Sequence, residues 1–274
     1  MDDRGPGAHD GRRVLAFVAA HPDDDVMGVV GIVAGLRDDP GLRFVLVHAT
    51  DGEAGEIAPG SGATRATLGA VRREEDRAGW RVVGREPDRH EWFGLPDGGL
   101  ADLPDGLLAD RIATVFATER PDVVVSAGPD GISGHPDHVA VGRATTDAFL
   151  RFAGDDGPGF RRLLHAAVPQ SALDRHNAWL EAAGRRPHDP TRVYDLRGVP
   201  DETIACSVDQ LEHVEVVEAA FREHRTQWAP PWSEQTPEGW RWAAGASHFV
   251  MAWPDWVPGT PRLQDVFADL GPGS

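Results

Sequence analysis

The stretch "RVLAFVAAHPDDDVMG", residues 13–28, decides the fold of this 274-residue chain and raises its main chemical question. Its first part is apolar at nearly every position, which predicts a strand buried on both faces, as in a parallel sheet. The strand ends at His21, and Asp23, Asp24 and Asp25 follow one residue later. Like charges this close repel one another, so the sequence has to provide partners for three carboxylates at a strand end.

Apolar segments of this type alternate along the chain with segments of helical periodicity. The alternation predicts βαβ units, and therefore an α/β fold with a doubly wound (Rossmann-like) parallel sheet. The predicted strands are residues 13–21, 42–50, 90–95, 121–128 and 160–168, and the predicted helices are residues 26–38, 63–83, 107–120 and 135–153.

The alternation breaks down at about residue 185. One further amphipathic helix is predicted over residues 209–227, and six of the nine tryptophans follow it. No linker separates this part, so residues 13–274 are predicted to form a single domain, with residues 185–274 as an irregular C-terminal cap. Residues 1–12 are polar and are predicted to be a disordered tail.

The chain is strongly acidic, with 44 acidic residues against 27 basic ones and a net charge of −17. Such a charge repels phosphate backbones and argues against a nucleic-acid partner. A single cysteine, Cys206, excludes an internal disulfide and a thiolate metal cluster. No secretion signal and no membrane span is recognisable, so we expect a cytoplasmic protein. The number of subunits is left open, and a homo-oligomer is compatible with the sequence.

A second motif, "GHPDH" at residues 134–138, repeats the His-Pro-Asp of the first and also follows a buried strand. In a doubly wound sheet of order 3-2-1-4-5 the first and fourth strands are neighbours at the topological switch point. The two motifs should therefore face each other across one crevice. Either motif alone is also explained as a helix cap, but two copies facing one crevice favour a joint site.

Histidine and carboxylate ligands together suit a divalent transition metal, zinc above all. A catalytic zinc site keeps a position for water, and a free carboxylate next to it can accept a proton. The residue types therefore indicate metal-assisted hydrolysis.

The paired motifs, in this order, resemble those of the LmbE-like or PIG-L deacetylases, zinc enzymes that remove acyl groups from amino sugars and their conjugates. The segments "ATDGEAGE" (49–56), "VRREE" (71–75), "GLPDGGL" (94–100) and "HRTQ" (224–227) extend the likeness in the same order. The resemblance covers about residues 13–227. It implies a small amino-sugar type of substrate, and a zinc ion that Fe(II) can replace in the same ligand set.

The resemblance also implies a role for each residue of the two motifs. His21, Asp24 and His138 would hold the zinc ion, and Asp23 would be the general base that deprotonates its water. His135 would stabilise the oxyanion as a charged imidazole, and Asp137 would orient or charge His135.

Four further positions match segments of the family. Arg72 is expected to contact substrate, or else to pair with Glu75 or Asp76 on the same helix. Asp97 is expected to bind sugar hydroxyls at the mouth of the crevice, or to be an ordinary turn residue. His224 and Gln227 are expected to line the site.

Two positions depart from the family pattern. Asp25 stands where the first motif usually ends in glutamate, which predicts a change in the surroundings of the metal rather than its loss. Ser133 stands where many relatives carry a tyrosine two residues before the second motif, and the only tyrosine of the chain is Tyr194.

Other function classes fit the sequence less well. An amidase acting on a thiol-conjugate or another non-sugar amide would use the same residues and is the main alternative. A non-haem iron oxygenase shares two histidines and one carboxylate but usually has an all-β barrel. A dinucleotide-binding dehydrogenase requires a G-x-G-x-x-G turn, which the first unit lacks. A non-catalytic metal- or sugar-binding protein would be expected to lose Asp23 or His135, and both are present.

Overall fold

The computed structural model describes residues 11–270, so residues 1–10 of the predicted tail and residues 271–274 lie outside the described residues. Its strands are β1 (Arg13–Ala19), β2 (Leu42–Thr50), β3 (Arg89–Leu95), β4 (Val123–Ala127), β5 (Arg162–Pro169), β6 (Gly198–Val199), β7 (Ile204–Asp209) and β8 (Ala246–Trp253). Its helices are α1 (Gly31–Gly35), α2 (Leu68–Val83), α3 (Leu107–Glu119), α4 (Gly131–Gly134), α5 (Pro136–Leu150), α6 (Gln170–Ala182), α7 (Val214–Glu223) and α8 (Pro237–Ala244).

The strand order β3-β2-β1-β4-β5 confirms the predicted doubly wound sheet. These five strands are mutually parallel, and β1 lies between β2 and β4. The chain therefore reverses its direction of winding at the β1–β4 pair. The carboxyl ends of these two strands open a crevice there, as they do in other open α/β sheets.

The two faces of β1 explain why its sequence is apolar throughout. Leu15, Phe17 and Ala19 point into one buried core, and Val14, Ala16 and Val18 point into the other. The first core is covered by side chains of α1, α2, α7 and α8, and the second by side chains of α3 and α5. A strand covered on both faces has no room for a polar position before the sheet ends.

The region after residue 185 is more regular than the predicted cap. Strands β7 and β8 extend the same sheet beyond β5, and β8 is antiparallel to both of its neighbours. Helix α7 lies within the predicted segment 209–227 and packs its buried Val217 and Phe221 into the first core. Trp240 of α8 is also fully buried there. The last part of the chain therefore completes the sheet and one of its cores.

Two other differences concern helices. The predicted helix 26–38 begins with a π-helical turn, Val26–Val30, and α1 ends at Gly35. Helix α6 follows β5 without having been predicted. Within residues 11–270, no helix combines the length and the apolar character that crossing a membrane requires.

Candidate active site

The two His-Pro-Asp motifs meet at the carboxyl ends of β1 and β4, as the topology predicts. His21 Nδ1 lies 3.3 Å from His138 Nε2, although 117 residues separate the two in the chain. His21 follows β1. His138 lies in the first turn of α5, the helix that follows β4 in the chain. The crevice thus brings one motif from each side of the switch point together.

The side chain of Asp24 completes a three-residue donor set with these two histidines. Its Oδ1 lies 3.2 Å from His138 Nε2, and its Oδ2 lies 3.5 Å from His21 Nδ1. Zinc–ligand bonds of 2.0–2.2 Å in a tetrahedral site place the ligand atoms about 3.3–3.5 Å apart. The two imidazole nitrogens and the carboxylate of Asp24 therefore have the chemistry and nearly the spacing that a zinc-like ion requires.

Asp24 is held in an ionised form between the two imidazoles. Burial acts to raise the pKa of Asp24, but the charge of His138 and the hydrogen bonds with His138 and His21 outweigh it and hold the pKa well below its usual range. The backbone N–H groups of Ala20 and His21 also donate to Asp24 Oδ2, at 3.1 and 2.8 Å. The carboxylate is thus fixed before any cation binds.

Two more carboxylates fix the ring of His21 from its other side. His21 Nε2 lies 3.1 Å from Asp97 Oδ1 and 3.3 Å from Asp137 Oδ2. Burial lowers the pKa of His21, yet the hydrogen bonds to Asp137, Asp24 and Asp97 raise it well above its ordinary value. When Nε2–H donates to these carboxylates, Nδ1 is left to face His138 and Asp24, as expected of a metal-ligating histidine.

Asp97 lies in a turn, as the second alternative predicted, with the N–H of Gly99 donating to the oxygen of Pro96 at 3.2 Å. Its side chain is only 7% exposed, and it accepts a 2.8 Å hydrogen bond from the N–H of Ala54. It supports His21 from behind, and the expectation that it binds sugar hydroxyls at the mouth of the crevice is not supported.

Asp23 points away from the donor set and towards Arg72. Its φ of 102° is one that residues with a side chain rarely adopt, and such strain is commonly found at functional sites. Asp23 Oδ2 lies 3.1 Å from Arg72 Nη2. Burial raises the pKa of Asp23 to about 6, although the charge of Arg72 opposes the increase. A carboxyl group with this pKa can accept a proton near neutral pH.

The position of the Arg72 side chain differs from both alternatives that the sequence offered. Its residue is 3% exposed, and its guanidinium donates to the backbone oxygens of Gly52 and Pro22 as well as pairing with Asp23. It neither reaches the crevice as a substrate contact nor pairs with Glu75 or Asp76. It holds the carboxylate of Asp23 in place.

His135 caps helix α5, and its protonation differs from the expected charged form. The N–H of Asp137 donates to His135 Nδ1 at 3.1 Å, which leaves the proton of a neutral ring on Nε2. Burial, together with the charges of His21 and His138, lowers the pKa of His135 to about 4. His135 is therefore neutral at pH 7 and can act as a hydrogen-bond donor through Nε2.

Asp137 has a different partner from the expected one. Its carboxylate accepts hydrogen bonds from the N–H groups of Gly98 and Leu100, at 2.7 and 3.1 Å, and contacts His21. Its side chain therefore orients His21, whereas its backbone N–H orients His135.

Tyr194 is the site residue that sequence reasoning missed. Its ring packs edge-on against the ring of His135, with 5.1 Å between centroids, and its backbone N–H donates to the oxygen of Ser133 at 2.9 Å. Tyr194 is 69% exposed and lines the cavity together with Ser133. A tyrosine thus stands beside His135 after all, brought there by a distant segment of the chain.

The crevice opens into a cavity of about 1110 Å³. Asp23, Asp24 and His138 line one part of it, and residues of α6, β8 and α8, such as Leu180 and Trp242, line another. Such a volume lies just above the usual range for small-molecule sites, about 300–1,000 Å³, and greatly exceeds that of an acetyl group.

His224 and Gln227 lie outside this cavity. His224 is fully buried beside Gly79 of α2, and burial lowers its pKa to about 4. Gln227 donates from Nε2 to the oxygen of Glu56 at 2.9 Å and so braces the loop after β2. Neither side chain lies on the cavity wall, in contrast to the expectation that both line the site.

Comparison with known proteins agrees with the motifs. Residues 16–149 match the family described as PIG-L: GlcNAc-PI de-N-acetylase. The 1D-myo-inositol 2-acetamido-2-deoxy-alpha-D-glucopyranoside deacetylase 1 of Saccharopolyspora erythraea is 32% identical to this chain, and the match covers 87% of this chain and 84% of that protein.

Two solved structures have a similar fold. The N,N'-diacetylchitobiose deacetylase of Pyrococcus horikoshii has a TM-score of 0.60 and 20% identity, covering 87% of this chain and 83% of its own. The 4-carboxy-2-hydroxymuconate hydratase of Pseudomonas putida also has a TM-score of 0.60, with 17% identity over 91% of this chain and 100% of its own. The fold alone therefore does not determine the reaction. From its sequence relatives and its family match, this chain belongs to the PIG-L family of de-N-acetylases.

Proposed function

We propose that the protein is a zinc-dependent hydrolase that removes an N-acyl group, in the first instance acetyl, from an amino-sugar conjugate. The observation that carries the proposal is the donor set of His21, Asp24 and His138 beside a carboxyl group, Asp23, that is not part of it. Fe(II) suits the same nitrogen and oxygen donors. Zinc is the proposed ion because histidine and carboxylate ligands are typical of catalytic zinc sites.

A divalent ion held by these three residues would supply Lewis acidity, which polarises an amide carbonyl and lowers the pKa of water. The rest of the chemistry belongs to side chains of the chain itself. Asp23 accepts the proton of the attacking water and returns it to the nitrogen of the departing amine as the C–N bond breaks, and Arg72 holds its carboxylate in place. His135 donates a hydrogen bond through Nε2–H to the developing oxyanion, and we assign the Tyr194 hydroxyl to the same task.

The size of the cavity and the relatives together support a conjugate as substrate. A cavity of about 1110 Å³ holds much more than N-acetylglucosamine, and the Saccharopolyspora relative is named for an amino sugar joined to inositol. Apolar side chains such as Met27, Leu180 and Trp232 line part of the wall, which suits an apolar group on the substrate. A thiol-conjugate amide is the second candidate for the same space.

The test is a panel of N-acetylated compounds offered to zinc-loaded protein, with the free amine as the readout. The panel contains N-acetylglucosamine, its conjugates with inositol and with an apolar alcohol, and amides of thiol conjugates without a sugar. We expect amine release from the sugar conjugates with a higher kcat/KM than from the free sugar. Release from the sugar-free amides alone would establish the amidase alternative, and release from none would overturn the proposal.

A further inference from the structure

A second group of histidine and aspartate side chains lies behind the donor set just described. It consists of Asp25, His48 of β2, Asp76 of α2 and His90 of β3, and is called the rear cluster below. None of its members lines the cavity. Asp25, His48 and Asp76 are fully buried, and the side chain of His90 is 15% exposed.

The spacing within the rear cluster resembles that of the first donor set. His48 Nε2 lies 3.3 Å from Asp25 Oδ1 and 3.7 Å from Asp76 Oδ1. His90 Nε2 lies 3.5 Å from Asp76 Oδ2. His48 Nδ1 lies 2.9 Å from His90 Nε2, and His48, Asp76 and His90 each offer a ligand atom within 4.8 Å of those of the other two. Asp25 lies beside this group, on the Nε2 side of His48.

Asp76 gives an independent reason to expect an ion. No N–H or hydroxyl group donates to either of its carboxylate oxygens among residues 11–270, although both are buried. A buried carboxyl group without donors costs several kcal/mol when it is ionised, unless a cation compensates it. Burial, the neighbouring charge of Asp25 and the hydrogen bond between these two side chains raise the pKa of Asp76 well above its usual value, so a bound cation would displace the proton of Asp76.

The charges and the surroundings also suit a divalent cation. Two carboxylates balance a charge of +2, and burial lowers the pKa of His90 to about 3, so its ring is neutral and has a lone pair to offer. The rings of His48 and His90 both stack on Trp92, with centroids 4.4 and 4.5 Å away, which fixes their planes. His90, as the partly exposed member, provides the route by which an ion enters.

We propose that the rear cluster is a second metal site, which binds a divalent transition-metal ion of the zinc type through His48, Asp76 and His90, with Asp25 orienting His48 through Nε2–H. The ion would be buried away from the cavity, so its role would be structural. In binding the ion, His48 Nδ1 and His90 Nε2 exchange the 2.9 Å hydrogen bond between them for coordination. The proposal stands on these four residues and does not depend on the proposed deacylase activity.

The site would act on the catalytic loop through Asp25. Asp25 Oδ1 accepts a 3.2 Å hydrogen bond from the N–H of Asp23, and Asp25 Oδ2 accepts a 2.8 Å hydrogen bond from Trp80 Nε1. An ion on His48 Nδ1 would hold Nε2–H of the same ring against Asp25 and so fix the strained backbone from which Asp23 projects. Aspartate in place of the family's glutamate is then explained as a carboxylate of the right length to join His48 to that backbone.

The test is the number of metal ions bound per chain, measured by mass spectrometry of the elements after zinc loading and removal of loose metal. We expect two ions in the wild type, one in Asp76→Asn, one in His90→Asn, and one in the matched front-site variant His138→Asn. The combination of His90→Asn with His138→Asn should bind none. Retention of the front ion shows that a rear-site variant is folded, and two rear positions are tested in case one variant fails to fold.

One ion in the wild type that is retained by Asp76→Asn and His90→Asn would overturn the proposal. Two ions in the wild type and in both rear variants would also overturn it, since the second ion would then be bound elsewhere. If the wild type binds two ions but hydrolyses no amide, the proposed function would be contradicted, and the proposal of the rear site would still hold.

Discussion

At the scale of the residue, the three consecutive aspartates are reconciled by pointing in different directions. Asp24 faces the imidazoles of His21 and His138, whereas Asp23 turns to Arg72 through its positive φ. Asp25 turns inward to His48 and Trp80. Each carboxylate thus has its own cationic or hydrogen-bonding partner, which offsets the mutual repulsion that the sequence alone presents.

Tyr194 provides the first prediction at this scale. Tyr194→Phe removes the hydroxyl but keeps the ring against His135. We expect kcat to fall by about tenfold or more while the metal content stays the same, because loss of one oxyanion donor typically lowers kcat by about 10²–10³. The matched control is Ser133→Ala, which removes the hydroxyl at the position where relatives carry tyrosine. A large loss in Ser133→Ala with none in Tyr194→Phe would contradict the role given to Tyr194.

The sequence predicted the residues of the two motifs better than their supporting residues. The topology brought the two motifs together, because it fixes where each strand ends, and the family resemblance selected His21, Asp24 and His138 within them. Whether Arg72 or Asp97 points into the crevice or behind it depends on side-chain burial, which a single sequence does not reveal. Tyr194 was missed because it lies 59 residues beyond His135, in an irregular segment after α6 whose position no local pattern reveals.

At the scale of the element, α5 positions one half of the site against the end of β4. A Cβ added at Gly142 of α5 would lie 2.5 Å from the backbone oxygen of Ala127 and 2.8 Å from that of Gly128. The close approach of helix to strand is what places His138 opposite His21. Glycine in the middle of a helix costs about 1 kcal/mol of helix stability relative to alanine. At position 142 this cost is explained by the close packing of α5 on β4.

Gly142→Ala tests this contact. Although alanine is the better helix former, the collision with backbone atoms should lower the free energy of unfolding by about 1–3 kcal/mol, as other overpacking changes do. The displaced helix should also weaken metal binding at His138. Denaturant unfolding and zinc titration provide the two measurements. The control is Arg143→Ala, at the exposed neighbouring position, which should change the free energy of unfolding by less than about 0.5 kcal/mol. Equal free energies of unfolding for the two variants would contradict the role given to Gly142.

The parallel half of the sheet was predictable and the antiparallel half was not, for a physical reason. Strands β1, β2, β4 and β5 are covered on both faces and appear as continuous apolar runs. Strand β8 is only half buried and lies among tryptophans and prolines, so its sequence does not distinguish a strand from packed loop. Its pairing with β5 joins residues about 85 positions apart, which no local pattern reveals.

At the scale of the whole molecule, bound metal should contribute to stability, because the donor atoms come from distant parts of the chain. An ion that binds the folded chain alone, at a free concentration 100 times its Kd, stabilises it by about 2.7 kcal/mol. For a protein of this size that corresponds to roughly 5–10 °C in Tm per ion.

Thermal unfolding with zinc and with a chelator therefore gives a third prediction. The zinc-loaded wild type should unfold at the higher temperature, and the difference should be smaller in His138→Asn, which lacks a front-site ligand. Identical Tm values for the wild type under both conditions would show that no ion binds the folded state preferentially.

The central claim, that Asp23 is the general base of a metal-dependent N-deacylase, is tested most directly by Asp23→Asn. Amine release from an N-acetylated amino-sugar conjugate and bound zinc should be measured on the same preparation. We predict that the variant keeps its metal and loses about 10²–10⁴ in kcat, the usual contribution of a general base. A variant as active as the wild type, at equal metal content, would contradict the claim.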